Sequence, residues 1–300
     1  MSYRIARKAP PAREVRRVLL EQNRKAQKLL ATWKQDPAGH VHQSRQSFKR
    51  IRATLWLLRP KYRYVYTVEN RIYRDLARQL AYARDASAMV EATDLLADRL
   101  WEPGPRQSLL MLRKSLKAQA RQEMADAVAG LAGSVAAVRQ ELPAAAQRIE
   151  QLPLKGLTVK RLRAGARTTL APAGRNYLRL DATAGPELYH DWRKHVKYAY
   201  YQTSLMAELM PRWSARNKRP LRELAELLGH VQDLHMLDEL IAAQPDALGI
   251  DIHWQRLRRQ VREVQRELQL QSTALGKQIF GKPRAPRGEI VVLPVRARRA

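Results

Sequence analysis

The sequence HQSRQSFKRIR at residues 42–52 returns later in the chain as HDWRKHVKYAY at residues 190–200. On a helix, positions i, i+3, i+7 and i+10 fall within about 80° of one another, because each residue advances by about 100°. The first copy therefore places a stripe of basic side chains along one helix, formed by His42, Arg45, Lys49 and Arg52. The stripe borders an apolar face that includes Phe48, Ile51 and Leu55, so it lies beside the predicted core.

The second copy keeps three of the four basic positions at a constant offset. His190, Arg193 and Lys197 follow their counterparts by 148 residues, and Tyr200 stands where the last arginine was. The same offset carries Arg74 to Arg222, Leu76 to Leu224, Leu80 to Leu228 and Asp85 to Asp233. This spacing predicts two structural repeats, each with a basic helix that begins at the histidine and a second helix that ends near the aspartate.

The composition predicts an all-α protein. Strand-forming residues are scattered and aromatic residues make up only 6% of the 300 residues, whereas Ala, Leu, Arg, Glu and Gln dominate. We count four main helices in each half, which predicts two four-helix bundles related by an approximate internal two-fold axis. The predicted repeats are residues 8–150 and 151–281, and we expect residues 282–300, rich in Arg and Pro, to form a loose basic tail.

Prolines and glycines mark the predicted helix boundaries. Pro186 is placed to open the second basic helix. We expect the long middle helix to end before Pro143, an interrupted helix at residues 171–174, and a new helix opening at Pro220. Within the tail, residues 290–293 form a strand-like patch.

The charge balance predicts a polyanionic partner. Lys and Arg total 56 against 28 Asp and Glu, so the net charge is +28 and the pI is about 11.0. An excess of this size favours nucleic acid, an anionic membrane or a phosphate polymer. The absence of cysteine excludes a disulfide framework and thiolate chemistry. With no apolar run of about eighteen residues and no leader-like N-terminus, we expect a cytoplasmic protein without a membrane partner.

The basic stripes have two interpretations. Like charges three or four residues apart on a helix repel each other, so a stripe is either a solvated face or a face that binds an anion. Recurrence at a fixed offset, beside the core and near predicted helix N-termini, favours an anion, and phosphate suits both Arg and Lys. A polyanion would also favour protonated His42 and His190, whereas the ordinary alternative is a histidine satisfied within the core.

The candidate anion-binding residues lie on six of the predicted helices. They are His42, Arg45, Lys49, Arg50, Arg52, Arg74, Arg78, His190, Arg193, Lys194, Lys197, Arg222, Arg13, Arg17, Lys160, Arg163 and Arg167. Asp85 and Asp233 recur at the same offset and have the wrong charge for an anion site. Our hypothesis is that these two carboxylates orient the surrounding Arg and His side chains, and the alternative is an ordinary salt bridge or loop cap.

At this point the sequence resembles the CHAD family, the conserved histidine α-helical domain. Its first motif, H-x-x-R-x-x-x-[RK]-R-x-R, is matched by His42, Arg45, Lys49, Arg50 and Arg52. Its second, H-x-x-R-K-x-x-K followed by an Arg-Tyr pair, is matched by His190, Arg193, Lys194, Lys197 and Tyr201, with Tyr200 in place of the arginine. LAYARD and LGHVQD, which end at Asp85 and Asp233, are similar to the family element L-G-x-x-x-D, although Ala81 replaces its glycine.

The resemblance covers residues 8–281 and implies a function. A CHAD domain is expected to consist of two four-helix bundles whose basic residues line a central cavity or pore for inorganic polyphosphate. No acidic β-rich segment accompanies it, so the resemblance implies a stand-alone, non-catalytic binding or targeting module without a cofactor or metal. Such a module could associate with polyphosphate granules; its protein partners are not specified by the sequence.

Two alternatives come from other functional classes. A nucleic-acid-binding helical protein is consistent with the net charge, but no helix-turn-helix, zinc or RNA-binding motif is present. A metal-dependent phosphohydrolase would need His42, His190, Asp191 and Asp233 to converge, yet Gln43 replaces the aspartate in the first repeat. We expect no nucleophile, oxyanion hole or phosphate-binding glycine loop.

Overall fold

All regular elements in the described part of the chain are helices, as the composition predicts. The computed structural model describes residues 3–80, 85–100, 102–181, 183–243 and 252–281, without the side chains of 85–88, 119–130, 252 and 253. The α-helices are α1 (Pro11–Ala31), α2 (Pro37–Trp56), α3 (Arg63–Gln79), α4 (Asp85–Ala97), α5 (Pro103–Glu150), α6 (Val159–Leu178), α7 (Pro186–Leu205), α8 (Pro211–Ala243) and α9 (Ile252–Phe280). A short 3₁₀ helix, Trp33–Gln35, joins α1 to α2.

The helix starts follow the repeat seen in the sequence. Pro11 and Val159 begin α1 and α6, 148 residues apart, and Pro37 and Pro186 begin α2 and α7, 149 residues apart. Proline suits the first turn because its fixed φ is helical and its missing N–H has no partner to lose there. The start of α7 at Pro186 is therefore as predicted, whereas α2 begins at Pro37, about one turn before His42.

The start of α2 has its own cap. The Asp36 carboxylate accepts a hydrogen bond from the Gly39 backbone N–H at 2.9 Å. A carboxylate at this position satisfies the first-turn donors and interacts favourably with the helix dipole. The protein itself thus satisfies one backbone donor at this N-terminus, and a phosphate contact near it stays a prediction.

Three predicted helix boundaries are wrong for a common reason. Pro143, Pro172 and Pro220 lie inside α5, α6 and α8, which continue through them. An internal proline costs a helix about 3 kcal/mol, and burial of the flanking turns against neighbouring helices outweighs this cost. The tail and its strand-like residues 290–293 lie outside the described residues.

The described parts of the helices enclose two large hydrophobic cores, and α5 contributes to both. The first core takes side chains from α1, α2, α3 and the second half of α5, including Leu131 and Leu142. The second core takes side chains from α4, α7, α8, α9 and the first half of α5, including Leu109 and Leu116. The predicted boundary between residues 150 and 151 therefore does not separate the two cores.

The position of α4 in the second core has a local origin at the end of α3. In the second repeat α8 runs on without a break, whereas in the first repeat α3 ends at Gln79 and a separate helix, α4, follows. The separate helix packs on α8 and α5, so its apolar side is buried in the second core. A break in one helix thus moves part of the first repeat across the molecule.

The end of α2 is held closely against α6. A Cβ atom on Gly165 of α6 would lie 2.2 Å from the carbonyl oxygen of Leu57, which follows α2. No side chain fits at that distance, so glycine permits the close approach of the two backbones. Among the described helices, none is both long and apolar enough to cross a membrane.

Candidate cation-lined site at the crossing of α2 and α7

The two basic helices, α2 and α7, pack directly on each other. Gln202 of α7 donates from Nε2 to the carbonyl oxygen of Ala53 at 3.0 Å, and its Oε1 accepts from Thr169 of α6. All three residues are buried, and the buried Ala53 packs with Trp56 and Tyr198 beside them. Because buried polar groups are costly to leave without partners, this hydrogen-bonded chain fixes how α6, α7 and α2 meet.

The stripe on α2 is half-buried along its whole length. His42, Arg45, Lys49 and Arg52 are each intermediate in exposure. Arg45 Nη1 donates to the Ala77 carbonyl in the last turn of α3 at 2.9 Å, which satisfies one of the carbonyls a helix leaves open at its C-terminus. His42 Nε2 lies 2.8 Å from Gln46 Nε2. The stripe is therefore a half-buried row of basic side chains beside the core, as its periodicity predicts.

Arg52 shows how a cation is held without a carboxylate. Its Nε donates to Asn70 Oδ1 at 3.0 Å, and its guanidinium carbon lies 5.6 Å from the Tyr198 ring centroid. Burial raises the pKa of Tyr198, so the phenol is neutral at physiological pH. Both partners orient the guanidinium and leave its charge in place.

The stripe on α7 is less deeply placed. Arg193 and Lys197 are half-buried, whereas His190 and Lys194 are exposed. Gly229 of α8 lies beside Arg193: a Cβ atom there would be 3.7 Å from the guanidinium nitrogens. Lys194 pairs with Asp191 one turn earlier on the helix, and this pairing lowers the pKa of Asp191. Equivalent positions of the two repeats are thus buried to different depths.

Arg50 lies on a different face of α2, against the N-terminal segment. Its guanidinium carbon is 5.6 Å from the Tyr3 ring centroid, and the Tyr3 hydroxyl donates to the Arg50 carbonyl at 2.9 Å. Burial raises the pKa of Tyr3 and keeps it neutral. The motif residue next to Lys49 therefore anchors the N-terminus to α2.

Three further candidate residues each lie near a carboxylate on their own helix. Arg74 pairs with Asp75 at 2.9 Å, and Arg78 lies 3.9 Å from the same carboxylate. Arg222, at the position equivalent to Arg74, pairs with Glu226 at 3.6 Å. Hydrogen bonding to Arg74 lowers the pKa of Asp75. These exposed pairs have part of their positive charge already compensated.

The candidates on α1 and α6 lie outside the α2–α7 contact. Arg17 bonds to Glu14 and Glu21, both at 2.8 Å, and this pairing raises the pKa of Arg17 and lowers that of Glu14. Arg163 donates to the Leu209 carbonyl at 3.1 Å. The remaining candidates on these helices are exposed: Arg13, Lys160 and Arg167.

Asp85 and Asp233 cannot be compared directly in the structure. Asp85 is the first residue of α4, and its side chain is outside those that the structure describes. Asp233 is half-buried within α8, beyond Gly229. Their orienting role stays a prediction. Among the described residues no group of three or more His, Asp or Glu side chains could hold a metal ion, so His42, His190, Asp191 and Asp233 do not form one.

Comparison with known proteins identifies the family. The sequence profile of the CHAD domain matches residues 17–242. The chain belongs to the CHAD family. The crystal structure of the CHAD domain from the plant Ricinus communis superimposes with a TM-score of 0.64 at 19% identity, covering 96% of this chain and 99% of that one. At that identity the likeness shows a common fold. A comparison with curated protein sequences found no match.

An aromatic cluster in this CHAD domain was not predicted. The Trp56 ring lies 5.7 Å from the rings of Tyr66 and Tyr198 and 6.3 Å from that of His195, measured between centroids. Arg59 covers the cluster, with its guanidinium carbon 4.9 Å from the Trp56 centroid. The residues are separated in sequence and do not recur at the offset of 148, so neither periodicity nor repeat could have indicated it.

Proposed function

We propose that this CHAD domain binds inorganic polyphosphate, without catalysis, through the half-buried cations of α2 and α7. The observation that carries the proposal is the α2 stripe. Its four basic side chains are all half-buried on a helix that packs directly on the second basic helix. Basic side chains in a row on one helix face repel each other, and a polyanion bound along the row relieves that repulsion.

The spacing of the stripe favours a ligand with repeated charges. Consecutive basic residues on α2 are three or four positions apart, which corresponds to about 5 Å along the helix axis. A single phosphate could satisfy one or two of these side chains, and a linear phosphate polymer could satisfy the whole stripe. The net charge of +28 adds a long-range attraction for any polyanion.

The geometry favours phosphate oxygens as the contact atoms. Arg45 donates to the Ala77 carbonyl and Arg52 to the Asn70 amide oxygen, and these hydrogen bonds help to orient the two guanidinium planes. A preoriented guanidinium loses little rotamer entropy on binding and matches phosphate with two parallel N–H groups. The motifs that identify the family supply the same residues, and association with polyphosphate granules would follow from such binding.

The test is calorimetric titration of long-chain polyphosphate into the protein across a salt series. A variant with Arg45, Lys49, Arg193 and Lys197 changed to alanine should bind at least about 1,000-fold more weakly, since each charge-assisted contact contributes about 1.5–3 kcal/mol. A matched variant removes four exposed lysines elsewhere: Lys28, Lys34, Lys114 and Lys117. It should lose only the long-range part of the affinity, and the loss should vanish at high salt.

Three results would overturn the proposal. Equal losses in the two variants would mean that binding depends on total charge alone. Displacement of polyphosphate by single-stranded RNA or DNA of equal charge would favour the nucleic-acid interpretation. Release of orthophosphate from polyphosphate in the presence of Mg²⁺ or Mn²⁺ would show catalysis.

A further inference from the structure

Cations from three separate elements act electrostatically on His195, which lies against Trp56 of α2. Lys194 precedes it on α7, Arg175 lies in the last turn of α6, and Arg59 follows α2. All three are close enough to lower the pKa of His195 by charge repulsion. All three are also exposed, so their charged ends reach solvent while His195 itself is half-buried. We call Arg59, Arg175, Lys194 and His195 the His195 cluster.

The floor of the His195 cluster is aromatic and uncharged. Trp56 lies edge-on to the His195 ring, and Arg59 rests over both Trp56 and Tyr66. Burial raises the pKa values of Tyr66 and Tyr198, so both phenols are neutral. The aromatic rings exclude water from the buried side of Arg59, which strengthens its interaction with an anion on the exposed side.

His195 itself is poised to accept a proton when an anion arrives. Its pKa is lowered first by burial and then by Lys194, Arg175 and Arg59, while Asp191 acts in the opposite sense. Its Nδ1 atom is buried and has no hydrogen-bond partner among the described groups. Asp191 also pairs with Lys194, so its charge is shared between Lys194 and His195.

The His195 cluster exists in only one of the two repeats. The positions equivalent to Arg59, Arg175, Lys194 and His195 at the offset of 148 are Ala207, Gln27, Gln46 and Ser47, and Trp56 corresponds to Ser204. Each equivalent is small or uncharged. The cluster is therefore a feature added to one side of the crossing and is separate from the repeated stripe.

Building on the proposed function, we propose that the His195 cluster is a subsite that takes one phosphate group of the polyphosphate chain together with one proton on His195. The anion offsets part of the positive charge of Arg59, Arg175 and Lys194, which weakens the repulsion that keeps His195 neutral. Protonated His195 then donates to a phosphate oxygen. No bond is broken, and the proton comes from the solvent.

Proton uptake and polyphosphate affinity are then linked. A ligand that raises the pKa of His195 must bind more tightly as the pH falls, and the reciprocal holds by thermodynamic necessity. For one proton the gain reaches at most about tenfold in affinity per pH unit, between the pKa values of the free and bound forms. Free protein shows the opposite trend in stability, because a lowered His195 pKa makes folding less favourable as the pH falls below about 6.5.

The experiment measures the affinity for long-chain polyphosphate, whose titrating end groups are few, from about pH 8 to about pH 5.5, the range in which histidines titrate. Calorimetry in two buffers of different ionisation enthalpy gives the protons taken up. The wild type should bind more tightly at low pH and take up a proton. His195→Gln should lose that part of the pH dependence, and the control His235→Gln, whose histidine pairs with Glu239 on α8, should keep it.

A second readout does not depend on that variant. The imidazole titration of His195, followed by NMR in the wild type, should move to higher pH when polyphosphate is present. In free protein, Arg175→Gln, which restores the residue of the other repeat, should also raise it. An unchanged His195 titration with polyphosphate bound, or an undiminished pH dependence in His195→Gln, would overturn the subsite. Absence of polyphosphate binding at every pH would instead overturn the proposed function.

Discussion

The same sequence motif is held differently on α2 and on α7. Arg45 donates to the Ala77 carbonyl in the last turn of α3, where the helix leaves carbonyl oxygens open. Its counterpart Arg193 lies beside α8, which continues past the equivalent residue Ala225, so that carbonyl belongs to the helix ladder. A helix end can hold a guanidinium where a continuous helix cannot, and this difference accompanies the greater depth of the α2 stripe.

The largest expected effect compares the two stripes directly. Arg45→Ala/Lys49→Ala and Arg193→Ala/Lys197→Ala should each weaken polyphosphate binding by about 3–6 kcal/mol, from two charge-assisted contacts. The α7 pair should lose more, because α7 retains only exposed His190 and Lys194. Calorimetry measures the polyphosphate affinity of both double variants, with Lys114→Ala/Lys117→Ala as the control. A larger loss for the α2 pair would contradict this prediction.

The second prediction concerns the cores behind the stripes. Trp192 is fully buried against Tyr177 and Phe280, whereas its counterpart on α2 is Ser44, whose hydroxyl donates to the His40 carbonyl. Trp192→Ala should lower the free energy of unfolding by about 3–5 kcal/mol, since it leaves a large cavity.

Ser44→Ala should cost less than about 1 kcal/mol. Urea unfolding of both variants measures the two costs. Equal losses would mean that the two repeats depend equally on this position.

A third prediction sharpens the comparison at the crossing itself. Gln202 and Thr54 occupy equivalent positions, and both are buried. Gln202→Leu removes the link between Thr169 and Ala53 and should cost about 1–3 kcal/mol of unfolding free energy. Thr54→Val removes one hydroxyl that bonds within α2 and to Tyr3, and should cost about 1 kcal/mol.

Urea unfolding again provides the values for these two variants. A cost for Thr54→Val above that of Gln202→Leu would show that the N-terminal segment, rather than the hydrogen-bonded chain, holds the crossing together.

The smallest expected effect is pH-dependent and belongs to the second repeat alone. Asp238 of α8 accepts from Arg258 and Arg262 of α9, at 2.9 and 3.0 Å, whereas the equivalent residue in the first repeat is Val90. Burial alone would raise the Asp238 pKa, and the two arginines outweigh it and lower the pKa. A lowered pKa stabilises the fold above about pH 3.9, and this contribution is lost as the pH falls through the folded value.

Asp238→Asn should therefore lower the unfolding free energy by about 1 kcal/mol at neutral pH and leave it unchanged in strong acid. Urea unfolding over a pH series checks the sign. A constant difference across the series would mean that packing, and not charge, connects α8 to α9.

The sequence predicts the helices and the stripes well because both depend on local rules. Helical periodicity placed Arg45, Lys49 and Arg52 beside the core, and the offset of 148 located Arg193 and Lys197. These predictions need only the geometry of one helix and a comparison of the chain with itself.

The assignment of helices to cores could not be predicted. An apolar face such as that of Leu109 and Leu116 indicates burial but does not specify which helices cover it. Prolines gave wrong boundaries because their cost of about 3 kcal/mol is set against tertiary packing that is invisible in sequence. The His195 cluster joins α2, α6 and α7 through residues with no shared spacing.

The packing of α4, a helix of the first repeat, in the second core has a consequence for how the chain assembles. A polypeptide of the first repeat alone would carry α4 and the first half of α5 with no core to bury them. Two such chains could cover these surfaces only by trading the segment, as a domain-swapped dimer does. Joining both repeats in one chain replaces that bimolecular encounter with an intramolecular one, so assembly no longer depends on concentration.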